Sequence, residues 1–357
     1  MRTLRYLLAS LVTLAVAACR GDSPGAPVTG GLWASSHAAD HAREFSALSE
    51  PVHLDAPVNS PCQDQTPTLS RDELALYFMS NRRGGLGQDT PDGCQDTNDL
   101  WVARRATRDG PWETAVNLGS PVNTSANEAG PALSPDGHVL FFYHWEGTGP
   151  RDIYVSRRVQ RNGGLGWKAP VKLGPEVNTD NSEAGPSYIR HGEAGGPTLY
   201  FYRGDPPVTT DLYAVPITRS GRTRGPVRVL SELNSSVEDN HASVRADGRE
   251  IFFNSRRPGG VLNPSGQPTF DIWVATRASV HGAWSTPVNL GAPVNSPFAE
   301  FHPNLSFDGR TLLFISPSAG RGGLGLFDIW MTTRTANRDV GHDDSGEDED
   351  DGPARQP

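Results

Sequence analysis

Residues 128–144 read EAGPALSPDGHVLFFYH, and four further stretches align beneath them: DQTPTLSRDELALYFMS at 64–80, EAGPSYIRHGEAGGPTLYFYR at 183–203, DNHASVRADGREIFFNS at 239–255 and EFHPNLSFDGRTLLFIS at 300–316. Each opens on a carboxylate and runs through a short strand. It turns at Asp-Gly or a relative of it (Asp72-Glu73, Asp136-Gly137, His191-Gly192, Asp247-Gly248, Asp308-Gly309) and enters an apolar, aromatic-rich run. Two strand-forming runs about such a turn spell a hairpin. A variable loop follows, and then a third strand that begins at an aspartate: Asp99, Asp152, Asp211, Asp271 and Asp328. The unit closes in WETAVNLGSPVN at 112–123, WKAPVKLGPEVN at 167–178, PVRVLSELN at 226–234 and WSTPVNLGAPVN at 284–295. Four antiparallel strands of this kind make one blade of a propeller.

The opening carboxylates are spaced by 64, 55, 56 and 61 residues, room for four strands and long loops. The fifth repeat stops near Arg334 without a fourth strand, whereas PVHLDAPVN at 51–59 matches the closing segments and precedes the first repeat. The reading is an all-β, five-bladed β-propeller of four-stranded antiparallel blades, its ring closed by an N-terminal strand, which leaves no open sheet edge along the ring. The 39 Gly and 30 Pro suit a turn-rich chain. Phe78, Phe142, Phe201, Phe253 and Phe314 recur at one repeat position and are read as packing between blades.

Outside 44–337 the chain changes character. Arg2 and Arg5 precede an apolar run from Tyr6 to Ala18, the pattern of a signal peptide over 1–18. Thirteen helical residues rise only about 20 Å, too short to span a bilayer. Val16-Ala17-Ala18-Cys19 resembles the lipobox of bacterial lipoproteins, which implies lipidation at Cys19, membrane contact through that anchor only, and residues 19–43 as a Gly/Ala/Ser/Pro-rich tether. Arg20 is not the aspartate associated with inner-membrane retention, so an outer-membrane lipoprotein is expected. Residues 338–357 form an acidic tail: seven of the nine residues from Asp343 to Asp351 are acidic, which leaves only −2 of the net charge of −9 to the rest of the chain. No basic domain exists, and nucleic acid is not expected as a partner. Cys62 and Cys94 remain, and an isolated pair in an oxidising compartment reads as a disulfide.

Ser134-Pro135-Asp136-Gly137, the run from Ser80 to Gly87 (SNRRGGLG) and the Asp-Ile/Leu-Trp/Tyr openings of the third strands make residues 51–334 resemble the WD40-like PD repeats of TolB-type propellers. Repeat three departs from the pattern at His191-Gly192 and its insertion, and repeat four has Arg245-Ala246 in place of Ser-Pro. The resemblance implies the fold and a habit of binding proteins or envelope components.

Propeller geometry places Asp64, Glu128, Glu183, Asp239 and Glu300 around one mouth of the channel. Five like charges there raise one another's pKa unless a cation or arginines neutralise them. They either form a ligand site or fasten the ring through backbone N–H groups and an arginine such as Arg83. His241 and His302 break the symmetry at one repeat position. Strand alternation puts each beside Asp239 or Glu300, so a divalent cation at Asp239, His241, Glu300 and His302 is one expectation, although no cofactor is required. On the same face the loops carry Arg82, Arg83, Trp145, Arg203, Arg256, Arg257 and Arg321, side chains suited to anchoring an envelope protein or a cell-wall glycan. Glycoside hydrolysis by mouth carboxylates is the competing reading. That chemistry needs an acid and a base of unlike pKa, which a ring of equivalent groups does not supply. A monomeric, non-enzymatic binding or scaffold propeller is therefore expected.

Overall fold

The computed structural model describes residues 44–161, 164–204 and 209–337. The leader, Cys19, the tether and the acidic tail lie outside the described residues. Among those described, no helix is long and apolar enough to cross a membrane.

The hairpins read from the sequence form five antiparallel sheets. Blade one holds β2 (Asp64–Leu69), β3 (Ala75–Arg82), β4 (Cys94–Arg104) and β5 (Val116–Asn117). Blade two holds β6 (Asn127–Leu133), β7 (Val139–Trp145), β8 (Asp152–Arg161), β9 (Gly164–Trp167) and β10 (Val171–Lys172); β9 pairs with the end of β8, beside the four-strand path. Blade three holds β11 (Glu183–Ile189), β12 (Thr198–Arg203), β13 (Asp211–Pro216) and β14 (Arg228–Val229). Blade four holds β15 (Asp239–Val244), β16 (Glu250–Ser255), β17 (Asp271–Thr276) and β18 (Val288–Asn289). Blade five has β19 (Phe301–Leu305), β20 (Thr311–Pro317), the single turn α1 (Ser318–Arg321) and β21 (Phe327–Thr333). Its fourth strand is β1 (Val52–His53), which pairs Val52 with Met331 and His53 with Trp330 and closes the ring.

The second strands are continuously apolar because both faces are covered, and all five repeated phenylalanines are buried. Turn chemistry explains the repeat consensus. Ser134 donates its hydroxyl to Asp136 at 2.5 Å while Asp136 accepts the His138 N–H at 3.0 Å, and Gly137 takes a φ of +67°. Blade four replaces that serine with Arg245, whose guanidinium holds Asp247 at 2.7 and 2.9 Å, so the same turn is fixed by a different donor.

A second regularity locks the outer strands. Asn59, Asn123, Asn178, Asn234 and Asn295 each bridge the N–H and C=O of one third-strand residue: Ile329, Leu100, Ile153, Leu212 and Ile272. Four side-chain amides do this while fully buried or nearly so, satisfying a backbone pair that the two-residue fourth strands leave open.

Candidate functional site at the channel mouth and throat

The five first strands pack against one another in a ring, β2–β6–β11–β15–β19 and back to β2. Asp64, Glu128, Glu183, Asp239 and Glu300, at or beside their starts, have no exposed surface. Each accepts the N–H and the hydroxyl of a Ser or Thr four residues earlier, as Asp64 does from Ser60 at 2.6 and 2.8 Å and Glu183 from Thr179 at 2.9 and 2.6 Å. Thr124, Ser235 and Ser296 serve Glu128, Asp239 and Glu300 in the same way.

Four of the five also hold an arginine: Arg82 reaches Asp64 at 2.5 Å, Arg203 reaches Glu183 at 2.7 Å, Arg257 reaches Asp239 at 2.5 Å and Arg321 reaches Glu300 at 3.2 Å. Every one of these guanidiniums donates in addition to the turn after the preceding fourth strand, to Pro57 and Val58, Glu176 and Val177, Leu233, or Pro293 and Val294. Each also lies over the repeated phenylalanine of its blade, 4.9–5.7 Å from the ring centre. One side chain thus ties its own blade to the closing segment before it. Expected as loop-face anchors, Arg82, Arg203, Arg257 and Arg321 are instead mostly buried latches. The arginine expected to pair with Asp64 is Arg82 and not Arg83, which is exposed and stands 3.6 Å from Asp89. Arg256 remains half-exposed over Phe270, and Trp145 lies under the guanidinium of Arg151.

Burial dominates the electrostatics of two of these acids, Glu183 and Glu300. It raises the Glu183 carboxyl and pushes Glu300 up to about 7, against the downward pull of the serine or threonine and the arginine beside each.

Blade two is the exception. His144 takes the arginine's place, 2.8 Å from Glu128, and this hydrogen bond raises the imidazole's pKa. Beside it a groove of about 760 Å³ opens between blades one and two, lined among others by Asp96, Thr124, Ser125, His144, Glu146 and Tyr154.

Below the mouth, strand alternation fails. All five first strands shift register two residues after the opening carboxylate, and the residue there, Thr66, Gly130, Gly185, His241 or His302, takes a φ of +48° to +62°. This bulge overturns the expectation that His241 sits beside Asp239 and His302 beside Glu300. The two histidines meet each other instead, with ring centres 3.7 Å apart and tilted by 46°, and Tyr202 is 4.9 Å from His241. Among the described residues no group of three or more His, Cys, Asp and Glu side chains is placed to hold a metal, so the four-residue ligand set is not assembled. Both rings line a cavity of about 100 Å³ in the throat. Burial holds the imidazoles in their neutral form, driving His302 down to about 3 and His241 well below its ordinary value.

Cys62 and Cys94 form a disulfide, with Cα atoms 5.7 Å apart. It ties the entry of blade one to the start of β4, where the loop over 83–93 ends. That loop is also held from within, because Asp99 accepts the Leu86 N–H at 2.6 Å and the Asn117 amide at 2.8 Å. A Cβ added to Gly85 would lie 2.2 Å from the Asp99 carboxylate, and one on Gly260 would lie 2.3 Å from that of Asp271, which explains the repeated Gly-Gly.

No family model matches the chain, and no curated protein matches it. Solved structures share its fold. The α-L-arabinofuranosidase of Lactobacillus brevis is 12% identical with a TM-score of 0.53, over 80% of this chain and 97% of that one. The catalytic domain of the Coprinopsis cinerea GH62 α-L-arabinofuranosidase is 12% identical with a TM-score of 0.50, over 82% and 97%. TolB from Acinetobacter baumannii is 14% identical with a TM-score of 0.42; the match covers 77% of this chain but 55% of TolB, so the chain spans little more than half of that protein. At such identities these likenesses establish the fold alone. The class is a five-bladed β-propeller.

Proposed function

We propose that this chain is a non-enzymatic binding propeller of the bacterial cell envelope, exported, lipid-anchored at Cys19 to the outer membrane, and engaging cell-wall glycan on its loop face. The observation that carries the binding reading is the groove at blade two. It opens at the one mouth position where a smaller imidazole replaces the latch arginine, and it presents hydroxyls, carboxylates and the Tyr154 ring, the mixture that recognises polyols. The carboxylates themselves are committed elsewhere, since each is held by a Ser or Thr and by an arginine or, at Glu128, by His144.

The test is co-sedimentation of the purified chain with isolated cell-wall sacculi, wild type against His144→Arg. Restoring the arginine fills the groove and keeps the Glu128 pair. Binding should fall at least about tenfold with no loss of thermal stability. Equal binding by the two proteins, or none by the wild type, overturns the groove assignment, and saturable binding of an envelope protein instead would move the ligand class to protein. Radiolabelled lipid should be incorporated by the wild type and not by Cys19→Ala.

A hydrolase reading has one observation in its favour: burial raises Glu300 to about 7, in the range a general acid needs, while Ser296 and Arg321 hold its oxygens. Release of reducing sugar from sacculi or arabinan by the wild type but not by Glu300→Gln would establish it.

A further inference from the structure

Blade three departs from the repeat on the face opposite the mouth. In the other four blades the arginine six residues after the third-strand aspartate, Arg105, Arg158, Arg277 or Arg334, donates to the carbonyl of the hairpin turn. Blade three has the fully buried Ile217 there. Its arginines stand instead around a groove of about 370 Å³ between the inserted β11–β12 turn and the loop from β13 to β14. Arg190, His191, Arg219 and Arg224 line this groove, and none of the lining residues is a carboxylate. Both walls are braced by their own backbone, the Gly192 N–H donating to the Gly196 carbonyl and the Thr218 N–H to that of Arg222, each at 2.7 Å. Among the described residues the three exposed guanidiniums have no ion pair and no side-chain hydrogen bond. Glu193, the acid of the inserted turn, is spent on Arg228 at 2.8 Å and on the buried Arg277 at 2.5 Å. Three like charges about one groove repel one another, so the ring gains nothing from them, whereas an anion gains from all three.

The same face receives the chain from its amino-terminal side. Glu44, the first described residue, binds Arg245 at 2.9 Å and Arg249 at 3.1 Å in the blade-four hairpin turn. That turn abuts blade three, since a Cβ on its Gly248 would lie 3.4 Å from Ile189, the neighbour of Arg190. The mouth face has the opposite character. Its exposed cations Arg83, Lys172 and Arg256 stand 3.6, 2.7 and 3.9 Å from a carboxylate, while Asp55 and Glu146 are largely exposed. We propose that the blade-three groove docks the phosphate headgroups of an anionic bilayer and seats the propeller on the membrane with its mouth turned away. Guanidiniums hold phosphate oxygens through paired N–H donors, and each one near an anionic surface strengthens attachment about fivefold. That surface repels the acidic mouth, so both faces orient the molecule in one sense. The inference rests on the anchor proposed at Cys19, which keeps the chain close enough for a patch of this size to act. It leaves the blade-two groove directed away from the membrane, toward cell-wall glycan.

The test measures partition of the purified full chain onto vesicles of phosphatidylcholine alone and of phosphatidylcholine with phosphatidylglycerol. Every protein carries Cys19→Ala, so that no acyl chain contributes and the groove is scored apart from the anchor. Arg190→Gln/Arg219→Gln/Arg224→Gln should bind the anionic vesicles about a hundredfold more weakly than its parent. Its binding to the neutral vesicles and its thermal unfolding should not change. Removing as much charge from the mouth face, in Arg83→Gln/Lys172→Gln/Arg256→Gln, should alter anionic binding by no more than about twofold, because those sites lie beyond a Debye length of the surface. The acidic tail follows Asn337, whose N–H donates to the Glu44 carbonyl on the basic face, so a chain with the seven acids between Asp343 and Asp351 changed to amides is measured too. Anionic binding by that chain alone would make the tail the occupant of the groove and overturn the proposal. So would equal parental binding to the two vesicle compositions, or a blade-three loss no larger than the mouth-face loss. Absence of lipid at Cys19 in the wild type strikes the anchor, and absence of anionic preference strikes the groove.

Discussion

The latch reading makes its sharpest demand at Arg257. Its guanidinium is 11% exposed and its partner Asp239 has no exposed surface, so Arg257→Met leaves a fully buried carboxylate with only the Ser235 donors. Breaking a buried pair from one side costs about 3–5 kcal/mol, mainly as the desolvation of the charge left behind. The Leu233 carbonyl loses its donor as well. In a domain of this size about 1 kcal/mol moves the melting temperature by about 2 °C, so a fall of roughly 6–10 °C is expected. Adding Asp239→Asn removes the stranded charge while keeping the serine contacts. The double variant should therefore be more stable than Arg257→Met alone, with a coupling of at least about 2 kcal/mol in a double-mutant cycle read by urea unfolding. An Arg257→Met cost below about 1 kcal/mol, or additivity within about 0.5 kcal/mol, would show that the arginine is a surface group and the latch reading mistaken.

Four further outcomes follow from the geometry. His302 is driven from 6.5 to about 3, so the unfolded chain binds the extra proton below pH 6.5 and this contribution is complete above 6.5 and lost as pH falls. At about 1.4 kcal/mol per pH unit, the wild type should lose about 2 kcal/mol more than His302→Gly between pH 7 and pH 5. Glu300, raised to about 7, acts in the opposite sense: its stability is lost as pH rises from 4.5 through 7, and Glu300→Gln should flatten that limb of the urea-stability profile. Reducing the Cys62–Cys94 bridge, which spans 32 residues, should cost about 3–4 kcal/mol by loop-closure entropy, and Gly85→Ala should cost about 1–3 kcal/mol because Asp99 is pinned and cannot yield to the new Cβ. Both are checked by thermal unfolding, with equal melting of reduced and oxidised protein counting against the first.

Much of the fold was legible because the repeat is written in turn chemistry and strand pattern. The hairpin turns, the third-strand aspartates and the return of β1 to blade five all follow from local signals that recur in register. The latches were legible only in part. Carboxylates stood out, but choosing Arg82 over Arg83 depends on strand pairing: the register sets Asp64 opposite Ser80, two residues from Arg82. Two other repeated signals were printed in the sequence and passed over. One is the asparagine that ends each closing segment. The other is the arginine six residues after the third-strand aspartate in four blades, where Arg105, Arg158, Arg277 and Arg334 donate to the carbonyl of the hairpin turn at 2.6–2.8 Å. The bulge was illegible, because simple alternation carries no mark of a register shift when the left-handed residue is Thr or His rather than Gly.

Fivefold repetition itself separates architecture from function in this molecule. A ring of five blades has to solve the same packing problem five times, and the buried carboxylate, its Ser or Thr, and the bridging asparagine answer it in every blade. Whatever is identical in all five therefore needs no ligand to explain it. At the mouth and in the throat two positions do vary: His144 stands for arginine beside an open groove, and the left-handed bulge holds Thr66, Gly130, Gly185, His241 and His302 in turn. The first leaves room and the second adds strain. Neither strengthens the ring, since an arginine in blade two would bind Glu128 as the others bind their acids and glycine would relax the bulge. Replacing His144 by arginine is thus expected to hold or raise stability while abolishing binding, the opposite of what truncating a latch should do.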